Sequence, residues 1–201
     1  MNIALVAKKG GVGKSTMSLL IAQALRQAGR QVAVNDWDEQ GTSTKSCRIN
    51  GGEIAIPGGE YDYLIYDTKP DLKDSSTKSA VTHADVVIVV TTPSTPDMWE
   101  AKEAVEFVKH HNPNAIVRVL INRVKRGTLL AKGAADAADV LGISVPVLNT
   151  QILDRQVYAH FIGGGWKTLD LAAQKQVGNL AVEVLTLNNS KPFARPLAKM
   201  A

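Results

Sequence analysis

Residues 7–16 read Ala-Lys-Lys-Gly-Gly-Val-Gly-Lys-Ser-Thr, a pattern suited to cradling phosphate. Glycines at 10, 11 and 13 let the backbone curl and aim its N–H groups at anionic oxygens. Lys14 supplies a cation for the β and γ phosphates of a nucleotide, and the Ser15 hydroxyl is a ligand for Mg²⁺. The expected cradle is Gly10, Gly11, Val12, Gly13, Lys14, Ser15 and Thr16; the plainer alternative is a glycine-rich turn. Two further places carry acids that could work beside it. Val34-Asn35-Asp36-Trp37-Asp38-Glu39 places Asp36 and Asp38 on one side of an extended chain. Tyr61-Asp62-Tyr63-Leu64-Ile65-Tyr66-Asp67-Thr68 is an apolar run that closes on an acid. Acid-rich surface turns or a helix cap at Asp67 are the structural alternatives.

A phosphate loop works only between a strand and a helix whose dipole faces the anion, so the flanking segments decide the matter. Short β-branched runs predict strands at 2–7, 31–35, 63–66, 86–90, 116–121 and 144–148. Most lack polar alternation, which implies burial on both faces. Helical periods occupy 15–28, 96–111, 129–141 and 169–187, with Gly29 and Gly142 as stops. The alternation predicts an α/β fold, doubly wound, with a mainly parallel sheet and helices on both faces. Acidic strand ends then lie where open α/β sheets bind ligands. Residues 41–60, with Gly51-Gly52 and Pro57-Gly58-Gly59, read as loop or short irregular structure. Residues 1–187 are expected to form one domain and 188–201 a flexible basic tail.

Composition narrows the class. The 201 residues are 45% hydrophobic and 21% charged, which excludes disorder throughout, and no apolar run approaches the roughly 20 residues of a membrane span. The apolar start followed by Lys8 and Lys9 is unlike a secretory signal, so a cytoplasmic location is expected. Cys47 is the single cysteine and reads as a passive small side chain. A net charge of +4 permits a polyanionic partner without demanding one.

The loop departs from the common G-x-x-x-x-G-K-[ST] pattern by having lysines at 8 and 9, and there it resembles the deviant Walker A motif of the ParA/MinD family of ATPases. The resemblance implies that Lys9 reaches across an ATP-bound homodimer to the neighbouring nucleotide, while Lys8 reads as a solvated charge. It makes residues 34–41 similar to the family's first switch segment, with Asp36 supporting the Mg²⁺ shell and Asp38 orienting the attacking water. Glu39 stands where relatives have proline. It also makes 61–68 similar to the Walker B strand, with Asp67 holding Mg²⁺ through water. Lys69-Pro70 departs from the Pro-Pro or glycine that usually follows. Residues 84–94 resemble another family strand. Asn122 falls where an asparagine amide reads adenine in relatives; an ordinary turn residue is the alternative. Residues 150–158 resemble the small type Ib plasmid partition proteins most closely. The separation of Asp36 from Asp67 implies that a helix found in relatives between them is cut down.

Between Glu106 and Asp136 the chain has no acid. Arg123, Lys125, Arg126 and Lys132 in that stretch, with Lys191, Arg195 and Lys199 in the tail, are candidates for nonspecific contact with DNA phosphates. A solvated basic face is the alternative, and the resemblance favours DNA. The phosphate loop begins so early that no operator-reading module is expected ahead of it. The expected function is an ATPase that uses ATP and Mg²⁺, dimerises, associates with the nucleoid and is released by a centromere- or cargo-binding partner protein. A membrane-cycling MinD-like protein is less favoured because prolines interrupt the carboxyl-terminal segment, so no membrane contact is expected. A metabolic ligase or reductase on the same loop is a third reading, for which one cysteine is not the usual cluster-bridging pair.

Overall fold

The computed structural model describes residues 1–128, 133, 136 and 138–187. Six strands, β1 (Asn2–Val6), β2 (Val32–Asp36), β3 (Glu53–Ile54), β4 (Tyr63–Asp67), β5 (Val86–Thr91) and β6 (Ile116–Ile121), form one sheet in the order β3-β2-β4-β1-β5-β6. Every pairing is parallel. Helices α1 (Lys14–Gln27), α2 (Thr42–Asn50), α3 (Ser75–His83), α4 (Thr95–His111), α5 (Gln156–Gly164) and α6 (Leu171–Thr186) surround it. This is the doubly wound fold of phosphate-loop nucleotide-binding proteins.

The two layers follow from the period-2 geometry of β1. Ile3 and Leu5 face a core shared with Leu20 and Leu25 of α1, Tyr158 and Phe161 of α5 and Val177 and Leu180 of α6. Ala4 and Val6 face the other way, against Ala80 and Val81 of α3 and Met98, Val105 and Val108 of α4. Burial on both sides explains why these strands carry no polar alternation.

The strands predicted from β-branched runs agree with β1, β2, β4, β5 and β6 to within a residue at each end. The sixth prediction does not hold. Residues 144–148 make only an isolated bridge, Val119 to Val147, because Pro146 has no N–H for a ladder. Residues 41–60 also differ from the expected loop: they hold α2 and the edge strand β3. Helix α2 was illegible because its inner face is polar. Ser43, Ser46 and Cys47 are buried, and Ser46 Oγ and Asn50 Nδ2 donate to the Ile162 carbonyl at 2.7 and 3.0 Å. Gly51 ends it in the left-handed region, with the Gly52 N–H on the Cys47 carbonyl at 2.8 Å. Cys47 is a packed thiol whose pKa burial pushes up. Helix α3 had no strong apolar period either, and α5, which carries Val157, Tyr158, Phe161 and Ile162 at helical spacing, is only nine residues long. Of the helix expected over 129–141, the described positions 133, 136 and 138–140 are helical. The tail at 188–201 lies outside the described residues.

Candidate functional site

Sheet register brings the chemistry to one level. Leu5 of β1 and Asp36 of β2 both pair with Asp67 of β4, so the loop after β1 and both acidic strand ends meet at the carboxyl edge. That loop turns through Gly11 and Gly13 at φ 84° and 91°. Helix α1 starts at Lys14 with no side-chain cap and no acid in its first turn, leaving its leading N–H groups and positive dipole end for an anion. Ser15 and Thr16 sit in that turn, half-buried.

Lys14 is 6% exposed and its ammonium lies 3.2 Å from Oδ1 of Asp67, which has no exposure; it also meets the Thr68 carbonyl. The Asp67 carboxylate accepts further hydrogen bonds from Ser18 Oγ at 3.3 Å and Ser43 Oγ at 2.6 Å. A buried carboxylate is tolerable only with such donors. Asp36 accepts from the Asp38 N–H at 3.1 Å through Oδ1 and from the Thr44 N–H at 2.7 Å through Oδ2. It therefore caps the first turn of α2 as well as facing the site. Asp38 Oδ1 accepts from the Gln40 N–H at 3.1 Å, and among the described residues its Oδ2 has no protein partner. Trp37 ties this segment to β4 through its N–H on the Asp67 carbonyl at 2.9 Å and its ring against Tyr66 at 5.1 Å.

Asn122 does something the sequence did not suggest. It is buried at the end of β6 and its Nδ2 donates to the Val12 carbonyl at 2.7 Å. A Cβ on Gly13 would lie 2.3 Å from that nitrogen, so glycine is required there by close approach as well as by φ. The amide thus braces the phosphate loop from below.

The two lysines ahead of the glycines both turn to α4. Lys9 Nζ lies 2.7 Å from Asp97 Oδ1 and is 55% exposed. Lys8 Nζ lies 2.7 Å from Glu100 and 2.8 Å from Glu103, so it is ion-paired rather than the solvated charge expected. Burial pushes the Asp97 carboxyl up, but hydrogen bonds from Lys9, Thr92 and Ser94 outweigh it and leave Asp97 below the ordinary carboxylate range. The same contact raises Lys9, and Glu100 with Glu103 raises Lys8. Sequence reasoning missed Asp97 as a counter-charge. Its signal was the Ser94-x-x-Asp97 capping pattern at the start of α4, which fixes a helix start but not which lysine reaches it.

Among the described residues no cluster of three or more His, Cys, Asp or Glu side chains could hold a metal unaided. The oxygen donors of Ser15, Asp36 and Asp67 nonetheless fit Mg²⁺, which keeps several waters and takes one or two carboxylates plus substrate phosphates.

Arg123, Lys125 and Arg126 are all exposed on the loop leaving β6, at the same carboxyl edge, with Arg123 held at φ 57°. Among the described residues they form no ion pair. Lys132, Lys191, Arg195 and Lys199 lie outside the described residues.

Comparisons with known proteins agree with this geometry. The family model for the CobQ/CobB/MinD/ParA nucleotide binding domain matches residues 3–161. Maintenance of carboxysome distribution protein A of Halothiobacillus neapolitanus is 24% identical over 194 residues, covering 86% of this chain and 88% of that protein. Among solved structures, a plasmid partition protein from Borrelia burgdorferi bound to AMPPNP superposes with a TM-score of 0.70 at 19% identity, covering 92% of this chain and 98% of that one. The septum site-determining protein MinD of Pyrococcus horikoshii complexed with Mg-ADP does so at 0.71 and 18%, covering 94% and 97%.

Proposed function

The chain belongs to the CobQ/CobB/MinD/ParA nucleotide-binding family, and from that premise we propose that it is a partition or positioning ATPase that cycles on DNA. The observation that carries the reading is the convergence of the phosphate loop, Asp36 and Asp67 at one level of the sheet edge, with Asp38 two residues beyond Asp36 and Lys9 exposed on the loop. Residues 10–16 wrap the phosphates of ATP. Lys14 exchanges Asp67 and the Thr68 carbonyl for the β and γ oxygens, and Asn122 supports the nucleotide site through Val12. Ser15, Asp36 and Asp67 would hold Mg²⁺, which neutralises phosphate charge when bound. Asp38, with Oδ2 unengaged, orients the attacking water. Lys9 leaves Asp97 to reach the nucleotide of a second copy, so turnover requires a homodimer.

Arg123, Lys125 and Arg126 give the dimer its nonspecific grip on DNA, and a cargo- or centromere-bound partner triggers hydrolysis and release. The working place of such a cycle is the cytoplasm, on the nucleoid. No helix among the described residues is long and apolar enough to cross a membrane.

ATP turnover and DNA binding test the two halves separately. Asp38→Ala is expected to lower turnover by about 10²-fold or more while ATP still binds; unchanged turnover sinks the assignment. Joint replacement of Arg123, Lys125 and Arg126 by alanine is expected to flatten the salt dependence of DNA affinity by about 2–3 in log–log slope. An unchanged slope would put the contact elsewhere.

A further inference from the structure

Two residues that stood out separately in the sequence meet in the structure. Glu39 follows Asp38 on the segment after β2, and Lys69 follows Asp67 and Thr68 on the segment after β4. Lys69 Nζ lies 2.6 Å from Glu39 Oε1 and 3.2 Å from Asp74 Oδ2. We propose that Lys69 is a positioning residue, which ties Glu39 to the start of α3 and so holds the neighbouring Asp38 in place at the carboxyl edge of the sheet. The inference rests on the reading of Asp38 as the residue that orients water.

The two ends of the tie are unequal. Lys69 is the anchored end, 25% exposed against 86% for Glu39. Asp74, which grips it, is the cap of α3 and accepts from the Ser76 N–H at 2.8 Å and from the Ser76 hydroxyl. Ser76 first, then Lys69, holds the Asp74 carboxyl at about 2, so this carboxylate stays charged at any working pH. The Lys69 carbonyl accepts from Thr77 Oγ1 at 3.4 Å, and Pro70, with its φ fixed by the ring, packs 3.9 Å from where a Gly10 Cβ would stand. Lys69 is thus referenced to both α3 and the phosphate loop.

Glu39 is the free end. Its segment turns tightly, the Gly41 N–H donating to the Asp38 carbonyl at 2.8 Å and the Gln40 N–H to Asp38 Oδ1 at 3.1 Å. The Asp38 N–H is held from within its own segment by Asp36 Oδ1 at 3.1 Å, and Lys45 Nζ donates to the Gln40 carbonyl at 3.0 Å. Glu39 to Lys69 is the ion pair that ties this segment across to the one after β4. An ion pair this exposed adds little to global stability and weakens with salt. Its effect is on where one segment sits.

The test uses the full chain with Lys69→Met, Glu39→Gln, both together, and Lys69→Arg. Hydrogen exchange of the Gln40 and Gly41 amides reads the placement of Asp38 directly, and kcat and KM for ATP read its consequence. Each single variant is expected to speed exchange and lower kcat by about two- to fivefold with KM changed less than about twofold. The double variant is expected to be no worse than either single, and Lys69→Arg to behave as the parent. Exchange unaffected in either single variant, or additive losses in the double, would overturn the tie. A large rise in KM would instead put Lys69 on the nucleotide, overturning its positioning role. A parent chain without turnover would sink the functional reading, and the exchange data would then decide the tie alone.

Discussion

One loop carries two lysine–aspartate pairs at similar distance and opposite exposure. Lys14 and Asp67 are both buried and stand 3.2 Å apart, whereas Lys9, paired with Asp97 at 2.7 Å, is more than half exposed. The buried pair is embedded in the fold. Asp67 needs Lys14, Ser18 and Ser43 to offset its desolvation. The exposed pair is held by little else on the lysine side, and water competes with it throughout. Burial thus separates the cation that is built in from the one that can change partners. In a phosphate site the built-in charge suits the chain's own nucleotide, and the releasable one suits a charge that must travel to another molecule.

The largest effect should come from Lys14→Ala, which strikes both roles. ATP turnover should fall by about 10³-fold or more. Because Asp67 loses its buried cation, stability should fall by about 1–3 kcal/mol, read as a melting temperature lower by roughly 3–10 °C. A variant that loses turnover at unchanged melting temperature would break the claim that this pair belongs to the fold.

Lys9→Ala should separate the two roles. Turnover is expected to fall by about 10²-fold, while the melting temperature stays within about 2 °C of the parent because an exposed pair contributes so little. Mixing this variant with a turnover-dead Asp38→Ala chain gives the sharper readout. If Lys9 acts across the dimer, half of the sites in mixed dimers combine an intact Asp38 with an intact partner Lys9, and activity returns. No recovery would place Lys9 on its own nucleotide.

How far the sequence reached follows the same division between groups set by local pattern and groups set by distant neighbours. The five longer strands were legible because apolar β-branched runs buried on both faces carry their own signal, and α1 because Gly13 and Gly29 bracket an apolar period. The phosphate loop was legible for the same reason: its glycines and Lys14 are contiguous. Helices α2 and α3 were not, since Thr-Ser-Thr-Lys-Ser and Ser-Ser-Thr-Lys-Ser look like loop until the partners of their hydroxyls are known. Ser43 earns its buried place only by reaching Asp67. The counter-charges were illegible on the same ground. Nothing near Lys8 and Lys9 in the chain says that α4 will lie beside them, or that Asn122 will sit under Val12 from 110 residues away.

Asp97→Asn gives the smallest effect and probes the exposed pair from its other side. The amide can still accept from Lys9 and Thr92, but without charge it grips the ammonium less firmly. If the contact with Asp97 competes with the contact across the dimer, weakening it should raise turnover by about two- to fivefold. A fall instead would mean that Asp97 holds Lys9 in its working position, which would reverse the contrast with Lys14. Titration cannot stand in for the substitution. Asp97 lies below its ordinary value, so its contribution is present above about pH 4 and is lost only as pH falls through that lowered pKa. Lys9 lies above its ordinary value, so its contribution is complete below about pH 10 and is lost as pH rises through the raised one. Between pH 5 and pH 9, roughly the range of an activity profile, both partners stay charged. Any inflection in turnover there should survive unchanged in Asp97→Asn, and one that vanished in the variant would show that the pair titrates where its geometry says it does not.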